Sequence, residues 1–251
     1  MKIERPADGT ALALHDSTRW EDVAVLLALE EEQAEELEEY VRDIGRMPGV
    51  VIAGDLALDG DTTTVALARG ELGLPSAKAE QVANAHERYI RAMEMEGYDG
   101  HHDDYIVVVL GDVNVVGDLE VVQYRPLYVA GDLYAKSVRG HTGNVVVRGA
   151  LRVSEIVVWK TSEEGGLVWS PTIETPVMVE AGFPEGVWWQ VDGQSGFDQD
   201  LAHLTEVSSD LLAQTVERDD VYVWLSEAIE RGRGGEISAE YIQRRKAAST
   251  S

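Results

Sequence analysis

The sequence predicts an α+β fold built on a β-solenoid, a parallel β-helix-like column with flanking and inserted α-helices. Three observations lead there. Between Tyr105 and Trp169, short β-branched runs such as YIVVVLGD, VNVVGD and VVVRGA recur behind Gly-Asp, Gly-Asn or Gly-Gly steps. Gly111, Gly117, Gly131, Gly143 and Gly149 stand six, fourteen, twelve and six residues apart, so larger periods of eighteen to twenty emerge, the size of one coil. The turn order is Gly-Asp-Leu, whereas a stack of two-residue hairpins calls for Asp-Gly or Asn-Gly at the tips. A glycine followed by an inward apolar residue suits a corner, where it provides the bend or the close backbone approach that a Cβ would block.

Stacked coils turn the apolar positions into ladders. Val113, Val115, Leu119, Val121, Leu127, Val129, Leu133, Val145, Val147, Leu151, Val153, Ile156 and Val158 are the expected core. The competing architecture is an antiparallel sandwich, whose strands also recur every eight to twelve residues or so. Aspartates that follow the corner glycines are expected to satisfy corner amides through Asx-type bonds.

Ahead of the column, Leu12 and Leu14 alternate as in a strand. One helix is then predicted to Gly45, with Thr18 and Glu21 as its capping box and Val23, Leu26, Leu27, Leu37, Val41 and Ile44 on one face. Its other face carries Glu30, Glu31, Glu32, Glu35, Glu36, Glu38 and Glu39, a density of like charge that weakens a helix by a few tenths of a kcal/mol per pair. Val50 to Asp61, VVIAGDLALDGD, repeats the Gly-Asp-Leu step and reads as a first coil. A helix over about 76–97 then interrupts the column. Past Trp169 the repeat loosens, with alternation surviving at 177–179 and 187–191, and from about Asp198 helical spacing returns through Val221, Trp224, Leu225, Ala228 and Ile229. Gly232 to Gly235 should end that helix, leaving a short basic helix or tail. The chain therefore divides into an N-terminal segment with the acidic helix (1–49), the solenoid with its helical insertion (50–197) and a C-terminal helical segment (198–251).

Composition narrows the function. A formal net charge of −25 repels phosphate backbones, so no nucleic-acid partner is expected, while a basic protein would be attracted. No apolar run is long enough for a membrane span, MKIERPADGT lacks the apolar core of a signal peptide, and cysteine is absent, so a cytoplasmic protein without membrane contact is expected.

The motifs for chemistry are incomplete. His86-Glu87 starts an HExxH, but Ile90 occupies the second ligand position. His101-His102-Asp103-Asp104 lacks a third spaced ligand, and adjacent residues of an extended segment point to opposite sides. Asp55, Asp59 and Asp61 do not have calcium-loop spacing. His141 in RGHTGN is the one base a solenoid acyltransferase would have, and no partner for it is visible. No cofactor, metal, catalytic residue or small-molecule substrate is expected. The candidate partner-binding residues are Glu31, Glu35, Glu38 and Glu39 of the acidic helix and Trp159, Trp169, Trp188 and Trp189, since tryptophan is enriched at interface centres. For the tryptophans, core or end packing is the alternative.

The VxGDLxV phrasing of Val115 to Val122, Val129 to Ala135 and Val145 to Val153 resembles the bactofilin or polymer-forming cytoskeletal β-solenoids, over about a third of the chain. That resemblance implies a non-enzymatic, nucleotide-independent scaffold that associates end to end. This chain differs in having helices that flank and interrupt the coils, and an acid charge that works against self-association. The expected function is a structural or protein-interaction scaffold, acting through a protein partner or through self-association. An acidic inhibitor or immunity-type protein occluding a basic partner is the alternative, and a solenoid acyltransferase the second.

Overall fold

The computed structural model describes residues 11–18, 20–41, 47–69, 106–123, 125–161, 166–182, 186–191, 194–198 and 221–248, and within 70–105 only Glu80, Asn84, Glu87 and Arg91. Its centre is a parallel-strand β-solenoid. The first coil runs β2 (Met47–Ile52), β3 (Leu56–Leu58) and β4 (Thr62–Thr63). After α3 (Thr64–Arg69), the second coil is β5 (Ile106–Val109), β6 (Val113–Val115) and β7 (Asp118–Val121). Next come β8 (Leu127–Val129) with the long β9 (Leu133–His141), β10 (Asn144–Val147) with the long β11 (Ala150–Lys160), and finally β12 (Leu167–Trp169), β13 (Thr172–Glu174) and β14 (Val177–Gly182).

Stacking gives the column three sides. Side I is β2, β5, β8, β10 and β12, all parallel and in that order. Side II is β3, β6, the first halves of β9 and β11, and β13. Side III is β4, β7, the second halves of β9 and β11, and β14. The segment between β4 and β5 is an insertion: Asp55 and Asp112, one coil apart in space, are 57 residues apart in sequence. Antiparallel strands occur only at the ends of the described sheets. β1 (Ala11–Thr18) pairs with β2 at the start of side I, and β15 (Gly186–Val191) and β16 (Gln194–Asp198) extend side III beyond β14.

The corners show why the glycines recur. Asp55 Oδ1 accepts the Asp112 amide at 3.0 Å, Asp112 Oδ1 accepts the Asp132 amide at 2.8 Å, and Asp132 Oδ1 accepts the Ala150 amide at 2.8 Å. A staircase of carboxylates thus climbs one edge of the column, each reaching the next coil. The expected Asx-type bonds exist in chemistry but not in direction, because they cross coils and do not close their own turns. A Cβ on Gly131 would lie 2.1 Å from Asp112 Oδ1, and one on Gly149 would lie 2.2 Å from Asp132 Oδ1, so these positions admit no side chain. In the first coil the requirement is different. Gly54 has open space around it but a φ of +73°, a backbone region costly to other residues.

The interior holds the expected valine and leucine ladders, with two exceptions. Ile156 and Val158 are buried on the outer side of β11, and Val157 and Trp159 point inward. A run such as EIVVW contains no alternation to decide the phase, because this strand is covered on both sides. Trp159 fills the interior against Gly140, where a Cβ would come 2.3 Å from its ring.

Among the described residues, helices lie over sides I and III. The predicted single N-terminal helix is two, α1 (Trp20–Leu27) and α2 (Glu31–Val41), broken at Ala28, whose φ is +53°. The Leu29 amide closes α1 onto the Ala24 carbonyl at 3.0 Å, and Gln33 Oε1 accepts the Glu30 amide at 3.2 Å to start α2. The break lets both helices lie on side I: Trp20, Val23, Leu26, Leu27 and Leu37 pack over the outward residues Val51, Ile106, Val108, Tyr128 and Val146. Trp20 Nε1 donates to the Ala34 carbonyl at 2.8 Å, tying α1 to α2.

On side III the cover is α4 (Val221–Glu230) and α5 (Gly234–Ala248), packed on β11, with Leu225, Ala228, Ile229 and Ile237 buried. Gly234 and Gly235 were expected to lie in the loop but open α5. A Cβ on Gly234 would meet Glu155 Oε2 at 2.7 Å and Ser137 Oγ at 2.8 Å, so the glycines let the helix start against the column. The Glu155 carboxylate at that N-terminus is favoured by the helix dipole. Among the described residues no helix is long and apolar enough to cross a membrane.

Candidate functional site: the uncovered side of the column

Side II is the side on which none of the helices α1 to α5 packs. Its outward row follows from strand register: Ala57 pairs with Asn114, Asn114 with Tyr134, Tyr134 with Arg152, and Arg152 with Glu174. The inward residues of these strands, Leu56, Val113, Leu133 and Leu151, are buried, so period-two alternation presents the polar set to solvent. Val116 is 64% exposed beside this row, and Tyr134 is 39% exposed within it. Between Asn114, Tyr134, Lys136, Arg152, Glu174 and Pro176 runs an open groove of about 550 Å³.

Arg152 organises the groove. Its guanidinium bonds the Asp132 carboxylate, donates to Tyr134 Oη at 2.8 Å and to Glu174 Oε2 at 3.1 Å, and lies 5.3 Å from the centre of the Tyr134 ring. Tyr134 Oη in turn donates to Asp132 Oδ2 at 3.1 Å. The network spans three successive coils. The Ala150 amide and Arg152 together hold the Asp132 carboxyl below the ordinary carboxylate range. Such a network fixes rotamers on a rigid sheet, leaving a preorganised surface with an aromatic edge, a cation and flanking acceptors.

A second concave feature lies between β4, β7 and α4. Arg139 donates from Nη2 to Glu120 Oε2 at 3.0 Å and from Nη1 to the Ser226 carbonyl at 3.0 Å, and its Nη1 is 2.8 Å from Glu230 Oε1. It fastens α4 to the column beside Asp61, Thr62 and Asp118.

No family model, curated protein or solved structure matches this chain.

The residues singled out in the sequence fall in different places. Glu31, Glu35 and Glu38 are exposed on α2, while Glu39 lies in the same helix with its side chain outside the described residues. Trp159 is fully buried inside the column and so is unavailable to a partner, a correction that follows from its packing on Gly140. Trp169 is half-buried on the outer side of side I, against the cluster that contains Leu37 of α2. Trp188 and Trp189 lie on β15, and their side chains are outside the described residues. Asp55 and Asp61 turn their carboxylates to corner amides, Asp61 Oδ1 accepting the Asp118 amide at 2.9 Å. The His141 ring lies 5.5 Å from the Tyr222 ring of α4. His86, His101, His102, Asp103 and Asp104 lie outside the described residues. Among the described residues no group of three or more His, Cys, Asp or Glu side chains could hold a metal ion.

Sequence reasoning missed the Asn114–Tyr134–Arg152–Glu174 row. The signal was present, since Asn114, Tyr134 and Arg152 each stand three positions after a glycine, at 111, 131 and 149, and lie between buried Val, Leu or Ala residues. It identifies a surface only when two other sides are known to be covered.

Proposed function

We propose that this chain is a non-enzymatic, cytoplasmic protein-interaction scaffold that uses side II as its contact surface. The observation that carries the reading is the asymmetry of the cover among the described residues: α1 and α2 lie on side I, α4 and α5 on side III, and none of them packs on the Tyr134–Arg152 row. The antiparallel strands β1 and β15–β16 argue for a partner protein over end-to-end polymer growth, because they lie across sheet edges that a stacked copy would need.

The test is a photo-crosslinking residue placed at Asn114, and separately at Glu35, in the native cell. A discrete adduct from position 114 that is lost on Arg152→Glu is the expected result. Adducts from position 35 alone, or a mass that grows with concentration in light scattering, would overturn this reading. The second reading, an acidic inhibitor of a basic protein, is favoured by the exposure of Glu31, Glu35 and Glu38 on one helix. It predicts binding that weakens steeply as salt rises.

A further inference from the structure

The corner between sides II and III brings an amine and two carboxyls together from successive coils. Asp118 opens β7 in the second coil, Lys136 lies in β9 of the third, and Glu155 lies in β11 of the fourth. Lys136 Nζ stands 3.9 Å from Asp118 Oδ1 and 3.7 Å from Glu155 Oε2. Both separations exceed hydrogen-bond range, so the amine is held between the acids without a short bond to either. A β-bulge sets this up: Val153 pairs with Ala135 and Ile156 with Ser137, so Ser154 and Glu155 both oppose Lys136. Bulges of this kind re-aim a side chain and are over-represented beside reactive sites.

The two acids sit in unlike surroundings. The Asp118 side chain is only 11% exposed, and burial holds its carboxyl above the ordinary carboxylate range in spite of Lys136 and the Ser137 hydroxyl. Glu155 lies against the start of α5, where a Cβ on Gly234 would come 2.7 Å from its Oε2, and a helix N-terminus favours negative charge. The buried Ser137 hydroxyl joins the pair, in contact with the Asp118 carboxyl and 3.4 Å from Glu155 Oε2. One carboxyl inclined to be neutral and one inclined to be charged, on either side of an amine, divide the roles of electrophile and base.

We propose that Lys136 and Asp118 join in an amide bond, made with Glu155 as base, which ties the second coil to the third. Glu155 takes a proton from the Lys136 ammonium. The freed Nζ attacks Asp118 Cγ to form the C–N bond, and the hydroxyl of the neutral carboxyl departs as water with the proton from Glu155. The surplus proton of the amine passes to solvent, so one water is lost and nothing is oxidised or reduced. Such a condensation is slow between free molecules, but groups held in place react as if at about 10⁵–10⁸ M once their atoms reach about 3–3.5 Å. The flexible lysine stem closes the remaining gap by rotating about its own bonds. Cysteine is absent from the chain, so an amide closing the loop from 118 to 136 braces the column where no disulfide can. This inference does not depend on what side II binds.

The test is the intact mass of the full chain, purified as a folded protein and then denatured. A deficit of about 18 Da against the sequence mass is expected, one water per cross-link. Proteolysis should then release a branched peptide joining the segments around Asp118 and Lys136, which separates the cross-link from a dehydrated aspartate elsewhere. Lys136→Arg keeps the charge without a primary amine, and Glu155→Gln keeps the shape without the base. Both should show the full sequence mass, with circular dichroism reporting that the fold is kept. Should Glu155→Gln fail to fold, Lys136→Arg decides alone. Glu174→Gln, which removes an acid of side II outside the triad, should keep the deficit. Full mass in the unsubstituted chain, a deficit that persists in a folded Lys136→Arg or Glu155→Gln, or a branch at another pair of residues would overturn the proposal.

Discussion

Replacing Gly131 with alanine tests the corner staircase directly. The added Cβ would sit 2.1 Å from Asp112 Oδ1 and 2.8 Å from both the carbonyl carbon and the oxygen of Gly111. Relieving the first contact drives the carboxylate back by about 1 Å, since C···O contacts settle near 3.3 Å or more. The 2.8 Å bond that Asp112 Oδ1 accepts from the Asp132 amide cannot survive that movement. Losing a hydrogen bond to a charged acceptor costs about 1.5–3 kcal/mol. The overlap with Gly111 is backbone on backbone, which no rotamer relieves, and overpacking of this kind costs about 1–3 kcal/mol. A total of about 3–5 kcal/mol is expected for Gly131→Ala.

Gly54→Ala is the internal control: nothing lies within 4 Å of the new atom, and only the φ of +73° is violated, at about 1–2 kcal/mol. Denaturation followed by far-UV circular dichroism and by tryptophan fluorescence, with coincident transitions, supplies both numbers. In the Asp112→Ala background the carboxylate part is already gone, so Gly131→Ala should there cost only the backbone part. The double variant should therefore fall short of the sum of the singles by about 1.5–3 kcal/mol. Strict additivity, or a Gly131→Ala no worse than Gly54→Ala, would refute the staircase as the reason for these glycines.

Two further outcomes follow from the side chains that join the coils. The folded Asp132 carboxyl titrates below the ordinary range because the Ala150 amide and Arg152 favour its charged form. Its contribution is thus complete above the unfolded carboxylate pKa and disappears as pH falls through the depressed folded value. The difference in melting temperature between the native chain and Asp132→Asn should shrink toward zero across that acid window, and a difference independent of pH would contradict the assignment. Arg139→Ala removes the bonds to Glu120, Glu230 and the Ser226 carbonyl, at a cost of about 2–4 kcal/mol, much of it local to α4. Burial of Leu225 and Ile229, at about 1.5–3 kcal/mol each, should keep the helix docked. Hydrogen exchange should therefore speed up over 225–229 while β8 and β10 stay protected, and uniform acceleration would place Arg139 in the global core instead.

The solenoid was legible because the corners at Gly111, Gly131 and Gly149 have no room for a Cβ, and that need leaves glycines at coil spacing beside apolar runs. What was not legible had no local signal. Ala28 adopts a positive φ with no turn residue to mark it, because the break serves the docking of two helices on side I. The Gly232–Gly235 run reads as a stop, yet two of its glycines begin α5, since the space they fill belongs to Glu155 and Ser137 some eighty residues or more earlier. Phase in EIVVW is invisible when both sides of a strand are buried, which is why Ile156 and Val158 were assigned inward and Trp159 stood among the partner-binding candidates with core packing as its alternative. The side II row was open to reading as alternation, but its exposure depends on where distant helices settle.

The carboxylate staircase stops where Ala150 takes the place an aspartate holds at 55, 112 and 132. From there the traffic reverses: Ser170 Oγ of the next coil accepts the Leu151 amide at 3.2 Å and donates to the Gly149 carbonyl at 2.8 Å. A hydroxyl that gives and takes within one step has no spare oxygen to hand upward as a carboxylate does. The tower still gains a storey above position 150, since β12, β13 and β14 stack there in parallel, so at this corner a hydroxyl fastens the upper coil where carboxylates fasten the ones below.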